Sequence, residues 1–201
     1  FIGEELGAGG IEVDIAVDPL EGTSLCAEFK PGAMSVIAIS PRGGLLQAPD
    51  VYMEKMAVGP GLPSGIIDLN DTLENNIRRI ASAKKLDLYK LTACILDRPR
   101  HAELIKALRR LEVGVKLIQD GDIAACIHTA LPDSGIDLYL GSGGAPEGVL
   151  AATALKVLGG QLVGRLLFRD AEEKDRAYKL GITDLDRQYS HHDLATGDTL
   201  F

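Results

Sequence analysis

Two carboxylates three residues apart, Asp18 and Glu21, flank a proline turn and are followed by a hydroxyl at Thr23. On a rigid turn such a pair repels unless a cation lies between them. Oxygen donors without nearby Cys or His pairs suit a hard divalent ion, Mg²⁺ or Mn²⁺. These residue types alone are equally compatible with a solvated turn. Val13, Ile15 and Val17 alternate with Asp14, Ala16 and Asp18, so the pair is expected at the end of a short buried strand. Pro19 has no N–H and should end the ladder, while Gly22 permits the tight turn.

Further reactive groups follow predicted strands. Arg98-Pro99-Arg100 is a stiff, doubly cationic loop suited to a phosphate, although solvated charges before a helix are the commoner use of such a pair. Asp120-Gly121-Asp122 places two carboxylates on a turn and serves equally well as a helix start. Gly141-Ser142-Gly143-Gly144-Ala145-Pro146-Glu147-Gly148 should run as a loop from strand to helix, turning backbone N–H groups toward an anion. Pro146 suits the first helical turn, where Glu147 alone would be an ordinary charge. Gly7, Gly9 and Gly10 precede the first strand and read as a turn. Adjacent histidines diverge on a strand, so His191-His192-Asp193 is expected on a surface loop and not at a metal.

These groups need elements to hold them. Residues 33–40 form a second strand, 41–44 a turn, and 45–56 further extended chain, giving a β-meander beside the first strand. A loop covers 59–65. A helix over 70–81 takes Asp71 or Thr72 as N-cap. Strands at 91–96, 113–118 and 136–140 then alternate with helices at 100–111, 121–129 and 146–158. An apolar segment at 161–168, a charged helix at 171–180 and a polar stretch at 182–197 follow. The pattern predicts a layered α/β fold: a metal-binding strand and mixed β-meander region at 1–69, then a largely parallel α/β sheet at 70–201 that binds substrate, both parts of one catalytic unit. Ligands of such sheets gather at the carboxyl ends of the strands.

The chain has 201 residues, 46% hydrophobic and 25% charged, as in ordinary globular proteins. Its net charge of −8 argues against a nucleic-acid partner. An anionic substrate would need local Arg, Lys or metal. No apolar run approaches membrane-spanning length and no signal peptide is evident, so a cytoplasmic protein is expected. Cys26, Cys94 and Cys126 lie far apart in apolar runs and read as buried reduced thiols.

Several blocks resemble the class II fructose-1,6-bisphosphatases of the metal-dependent sugar and inositol phosphatase superfamily. They are Val13-Asp14-Ile15-Ala16-Val17-Asp18-Pro19-Leu20-Glu21-Gly22-Thr23, residues 48–55 (Ala-Pro-Asp-Val-Tyr-Met-Glu-Lys), Arg98-Pro99-Arg100-His101, Asp120-Gly121-Asp122, and residues 143–149. The first block alone is specific, and all five in order are strong. Leu-Glu-Gly-Thr and Arg-Pro-Arg also resemble the cyanobacterial branch, some of whose members act on sedoheptulose 1,7-bisphosphate.

The resemblance implies a phosphoric monoester hydrolase that removes the 1-phosphate of fructose 1,6-bisphosphate in gluconeogenesis or carbon fixation, with Mn²⁺ or Mg²⁺, as a homo-oligomer (dimer or tetramer). It implies Asp18, Glu21 and Glu147 as metal ligands, with the Leu20 carbonyl, and Thr23 beside the attacking water. Glu21, Gly22 and Thr23 would border the scissile phosphate. Tyr52, Arg98, Pro99, Arg100, Asp120, Gly121, Asp122 and Gly144 would line the sugar site. The arginines would take the distal phosphate and the Asp pair the hydroxyls. Inositol and nucleotide phosphatases of the superfamily usually carry Asp in place of Glu21 and an upstream Trp; this chain has no Trp. A non-catalytic sugar-phosphate-binding module is the reading from another class.

The family's further acidic ligands and catalytic groups precede the segment matching Phe1, and other family elements follow Phe201. A fragment is therefore expected, binding metal weakly and hydrolysing little by itself.

Overall fold

A computed structural model describes residues 4–201; the opening Phe1-Ile2-Gly3 of the expected first region lies outside them. Two sheets enclose one helix. β1 (Val13–Glu21) pairs antiparallel with β2 (Met34–Pro41), joined through the short α1 (Thr23–Ala27). Leu200 pairs with Ile39 of β2 through both backbone hydrogen bonds.

The second sheet has the order β5-β4-β6-β3-β7-β8. Its strands are β3 (Tyr52–Val58), β4 (Thr92–Leu96), β5 (Gly114–Ile118), β6 (Leu138–Gly144), β7 (Gln161–Leu167) and β8 (Gln188–Ser190). β4 runs parallel to β5 and β6, whereas β3 is antiparallel to β6 and β7. The fold is mixed α/β as expected, with its parallel part confined to β5, β4 and β6. The expected meander does not form. Val51 N–H turns back to Pro49 O, and β3 crosses to the centre of the larger sheet. The reason lies in its composition: Met53 and Ala57 bury on one face, Met56 and Val58 on the other, and only an interior strand can cover both.

The helices are α2 (Leu73–Lys84), α3 (Ala102–Arg110), α4 (Asp122–His128), α5 (Ala145–Leu158), α6 (Ala171–Lys179) and α7 (His191–Leu194). Thr72 caps α2 by accepting from Asn75 N–H at 3.2 Å. α5 is buried along most of its length because it packs against both sheets, and its run of alanines lets them approach. α2 and α3 cover the far face of the six-stranded sheet.

Four further expectations change. β1 does not stop at Pro19: pairing resumes at Glu21↔Met34 after a bulge that absorbs the missing proline N–H. Nor is it a buried strand, for Val13, Ile15 and Val17 face outward, while Asp14, Ala16 and Asp18 lie on the side toward α5. The polar stretch ends in the capped α7: Ser190 and Asp193 form a capping box, with Tyr189 and Leu194 buried against the core. Cys94 and Cys126 are buried free thiols, but Cys26 on α1 is exposed.

Candidate active site

The site forms where β1, β5 and β6 end. At the end of β1, Leu20 N–H donates to Asp18 Oδ1 at 3.0 Å, folding the Asp18 carboxylate over Pro19. Glu21 is then turned inward and is 5% exposed. Gly22 adopts φ 79° and starts α1 with Thr23 exposed at its first position.

The turn after β5 is tied to this one by two hydrogen bonds. Ile123 N–H, in the first turn of α4, donates to Glu21 Oε1 at 2.9 Å, and Ser24 N–H donates to Asp120 Oδ2 at 2.9 Å. A carboxylate against a helix N-terminus is favourable. Residues about 100 apart in sequence are thereby fixed together, and Asp120-Gly121-Asp122 does open a helix, with Gly121 at φ 88°.

β6 differs from its expected form. Gly141, Ser142, Gly143 and Gly144 are not a loop but the last strand residues, paired with Lys55, Glu54, Met53 and Tyr52. The glycines make room. A Cβ on Gly143 would stand 2.2 Å from Asp122 Oδ2, and one on Gly144 would stand 1.9 Å from Glu147 Oε2. Pro146 and Glu147 occupy the first turn of α5 as expected.

Negative charge accumulates here. Burial, then the charges of Asp122, Asp18 and Glu147, push the Glu21 carboxyl up to about 7 against one opposing hydrogen bond from Ile123. Burial also raises Glu147, with Asp122 and Asp18 adding to it and Lys55 offsetting part. Among the described residues no three His, Cys, Asp or Glu side chains close into a metal-binding group. The charges of Asp18 and Glu147 nonetheless act on Glu21, and that of Asp18 on Glu147. In kind, carboxylate oxygens suit a hard divalent ion.

The cationic side lies across β6. Arg100 donates to Ser142 Oγ at 3.0 Å and Ser142 O at 2.7 Å, with its guanidinium 4.9 Å from the Tyr52 ring centre. Arg98 donates to its neighbour Asp97 O at 3.0 Å, and Pro99 is exposed between the two arginines. Sequence reasoning gave no role to three nearby residues. His101 is buried, its Nδ1 against Leu96 O at 2.8 Å while Ser142 N–H donates to Nε2 at 2.9 Å, which anchors the arginine loop to β6. Arg169, held by the buried Glu173, lies 5.7 Å from the Tyr52 ring centre. Lys55 is 1% exposed and ion-paired with Asp122. Its signal was present: strand alternation puts this lysine on the face of Met53 and Ala57. A cavity of about 320 Å³ opens on the other face of β3, beside Arg100 and His101; none of Asp18, Glu21, Asp122 and Glu147 lines it.

Residues 1–201 match the model of the family described as bacterial fructose-1,6-bisphosphatase, glpX-encoded. The chain is 48% identical to fructose-1,6-bisphosphatase 1 class 2 of Escherichia coli K12, over 88% of this chain and 54% of that protein. It is 39% identical to the D-fructose 1,6-bisphosphatase class 2/sedoheptulose 1,7-bisphosphatase of Synechococcus elongatus, over 98% of this chain and 64% of that protein. It thus spans between half and two thirds of these relatives. With the whole chain matched and two relatives this similar, residues 1–201 belong to the family of glpX-encoded bacterial fructose-1,6-bisphosphatases.

Proposed function

We propose that the protein containing this chain hydrolyses the 1-phosphate of fructose 1,6-bisphosphate, giving fructose 6-phosphate and phosphate. The name of the Synechococcus relative supports sedoheptulose 1,7-bisphosphate as a second substrate. The observation that carries the reading is the hydrogen-bonded junction of Glu21 and Ser24 with Ile123 and Asp120, which brings carboxylates from β1 and α4 beside Glu147 of α5.

Asp18, Glu21 and Glu147, with the Leu20 carbonyl, would hold Mn²⁺ or Mg²⁺. Such an ion supplies charge neutralisation for the phosphoryl oxygens and the departing alkoxide. Thr23, exposed at the start of α1, holds the attacking water through its hydroxyl, with Gly22 leaving the approach clear. Arg98 and Arg100, spaced by Pro99, take the distal phosphate, with the Tyr52 ring against Arg100. Asp120 and Asp122 accept hydrogen bonds from the sugar hydroxyls, so carboxylates meet the neutral part of an anionic ligand. Gly121 and Gly144 let backbone approach it. The family resemblance supports a cytoplasmic homo-oligomer, a dimer or tetramer.

The test is phosphate release by the full-length polypeptide from fructose 1,6-bisphosphate, sedoheptulose 1,7-bisphosphate and inositol monophosphate, with Mn²⁺ or Mg²⁺. The sugar bisphosphates should be hydrolysed well above the inositol phosphate. Equal or preferred hydrolysis of the inositol phosphate would overturn the assignment.

A further inference from the structure

Lys55 is the most deeply buried cation near the carboxylates, and burying an ammonium is unfavourable unless its donors are met. Two of its three N–H groups have partners. Its Nζ bonds Asp122 Oδ2 and donates to Gly144 O at 3.0 Å. Burial works against its charge, but Asp122 in contact and Glu147 close by leave its pKa above the ordinary lysine value. Lys55 therefore keeps its charge.

The surrounding backbone is shaped around this pair. A side chain on Gly143 would meet Asp122 Oδ2 at 2.2 Å and Lys55 Nζ at 3.1 Å. One on Gly148 would meet the lysine stem at 3.5 Å and Met53 Sδ at 2.5 Å. The glycines of residues 143–148 therefore admit a lysine where apolar residues would otherwise pack. The reward is orientation. With Oδ2 pinned from below, Asp122 is 7% exposed and its Oδ1 has no protein donor among the described residues.

We infer that Lys55 is a positioning residue for sugar recognition: it acts through Asp122, fixing that carboxylate so that its second oxygen is presented to a substrate hydroxyl. The role rests on the function proposed above. Lys55 is 1% exposed, so it acts through Asp122 and not by touching substrate.

The experiment is a double-mutant cycle in the full-length polypeptide: wild type, Lys55→Met, Asp122→Asn and the double variant. Each is assayed with Mn²⁺ on fructose 1,6-bisphosphate and on p-nitrophenyl phosphate, which has a scissile phosphate and no sugar hydroxyl. Either single change should raise KM for the sugar bisphosphate about tenfold or more, the value of one charge-assisted hydrogen bond, with kcat moving less than about threefold. Hydrolysis of p-nitrophenyl phosphate, which has no hydroxyl for Asp122 to hold, should fall by clearly less than hydrolysis of the sugar bisphosphate. The double variant should match Asp122→Asn, because nothing remains for Lys55 to hold. It leaves no unpaired buried carboxylate, so it carries the comparison even if Lys55→Met fails to fold.

A double variant much worse than Asp122→Asn would overturn the inference, as would a folded Lys55→Met with wild-type KM or an equal loss on both substrates. Wild-type protein without activity on the sugar bisphosphate would remove the functional reading itself, and this role with it.

Discussion

At the scale of single residues, Glu21 links stability to pH. Its folded pKa of about 7 lies above the ordinary 4.5, so the folded state binds a proton that the unfolded state has already released. Stability therefore falls as pH rises through that window, by on the order of 3 kcal/mol in metal-free protein. Glu21→Gln removes this pH dependence. The melting temperature of the variant relative to wild type should climb from below pH 4.5 to above pH 7. Mn²⁺ should raise the melting temperature of the wild type at the upper end of the window and leave the variant unmoved. A flat difference across the window would show that Glu21 titrates normally. Gly144 makes a second case. Its added Cβ would collide with the end of a flexible side chain, Glu147 Oε2, which can swing away. Gly144→Ala should fold with little loss of stability yet need roughly tenfold more Mn²⁺ for half-maximal thermal stabilisation, the displaced carboxylate being worth about 1.4 kcal/mol.

At the scale of elements, two turns decide the site. Gly22 holds φ 79° between β1 and α1, and a Cβ there would press on Leu25 at 3.3 Å and Ala33 at 3.4 Å. Gly22→Ala should cost about 1–2 kcal/mol in chemical denaturation, and unchanged stability would contradict this account of the turn. His101 ties the arginine loop to β6; His101→Leu orphans Ser142 N–H and should cost about 1–3 kcal/mol, together with a weaker grip on the substrate's distal phosphate. Much of this layout was legible. Thr72 capping α2, Pro146 opening α5 and strands ending just before Arg98 and Asp120 follow from local chemistry. Other features depend on contacts that are distant in sequence. Alternation in β1 gave the period of Val13, Ile15 and Val17, but not which face α5 would cover. The glycines at 141–144 read as a loop because sequence shows their freedom and not the Asp122 and Glu147 oxygens that need their space. Alternation put Lys55 on the buried face of β3, but not its partner Asp122, which lies 67 residues away.

At the scale of the whole molecule, α5 and the paired turns bind two sheets into one unit, and the outer face of the smaller sheet remains apolar. Val13, Ile15, Val17 and Ile37 are 44–60% exposed on that face. Patches of this kind bind hydrophobic probes and promote association. Residues 1–201 in isolation should therefore bind a hydrophobic dye, and Ile15→Thr combined with Val17→Ser should reduce that fluorescence at least about twofold, in keeping with the apolar area removed. No change in the double variant would place the dye elsewhere.

The central claim is that the carboxylates at the end of β1 serve a metal-assisted hydrolysis of a sugar bisphosphate. Its most direct test is phosphate release from fructose 1,6-bisphosphate by full-length wild type and Glu21→Gln as Mn²⁺ is titrated. Metal-dependent release by the wild type, reduced about a hundredfold or more in a folded Glu21→Gln, is the predicted result. Wild-type rates in that variant, or release indifferent to the metal, would contradict the account.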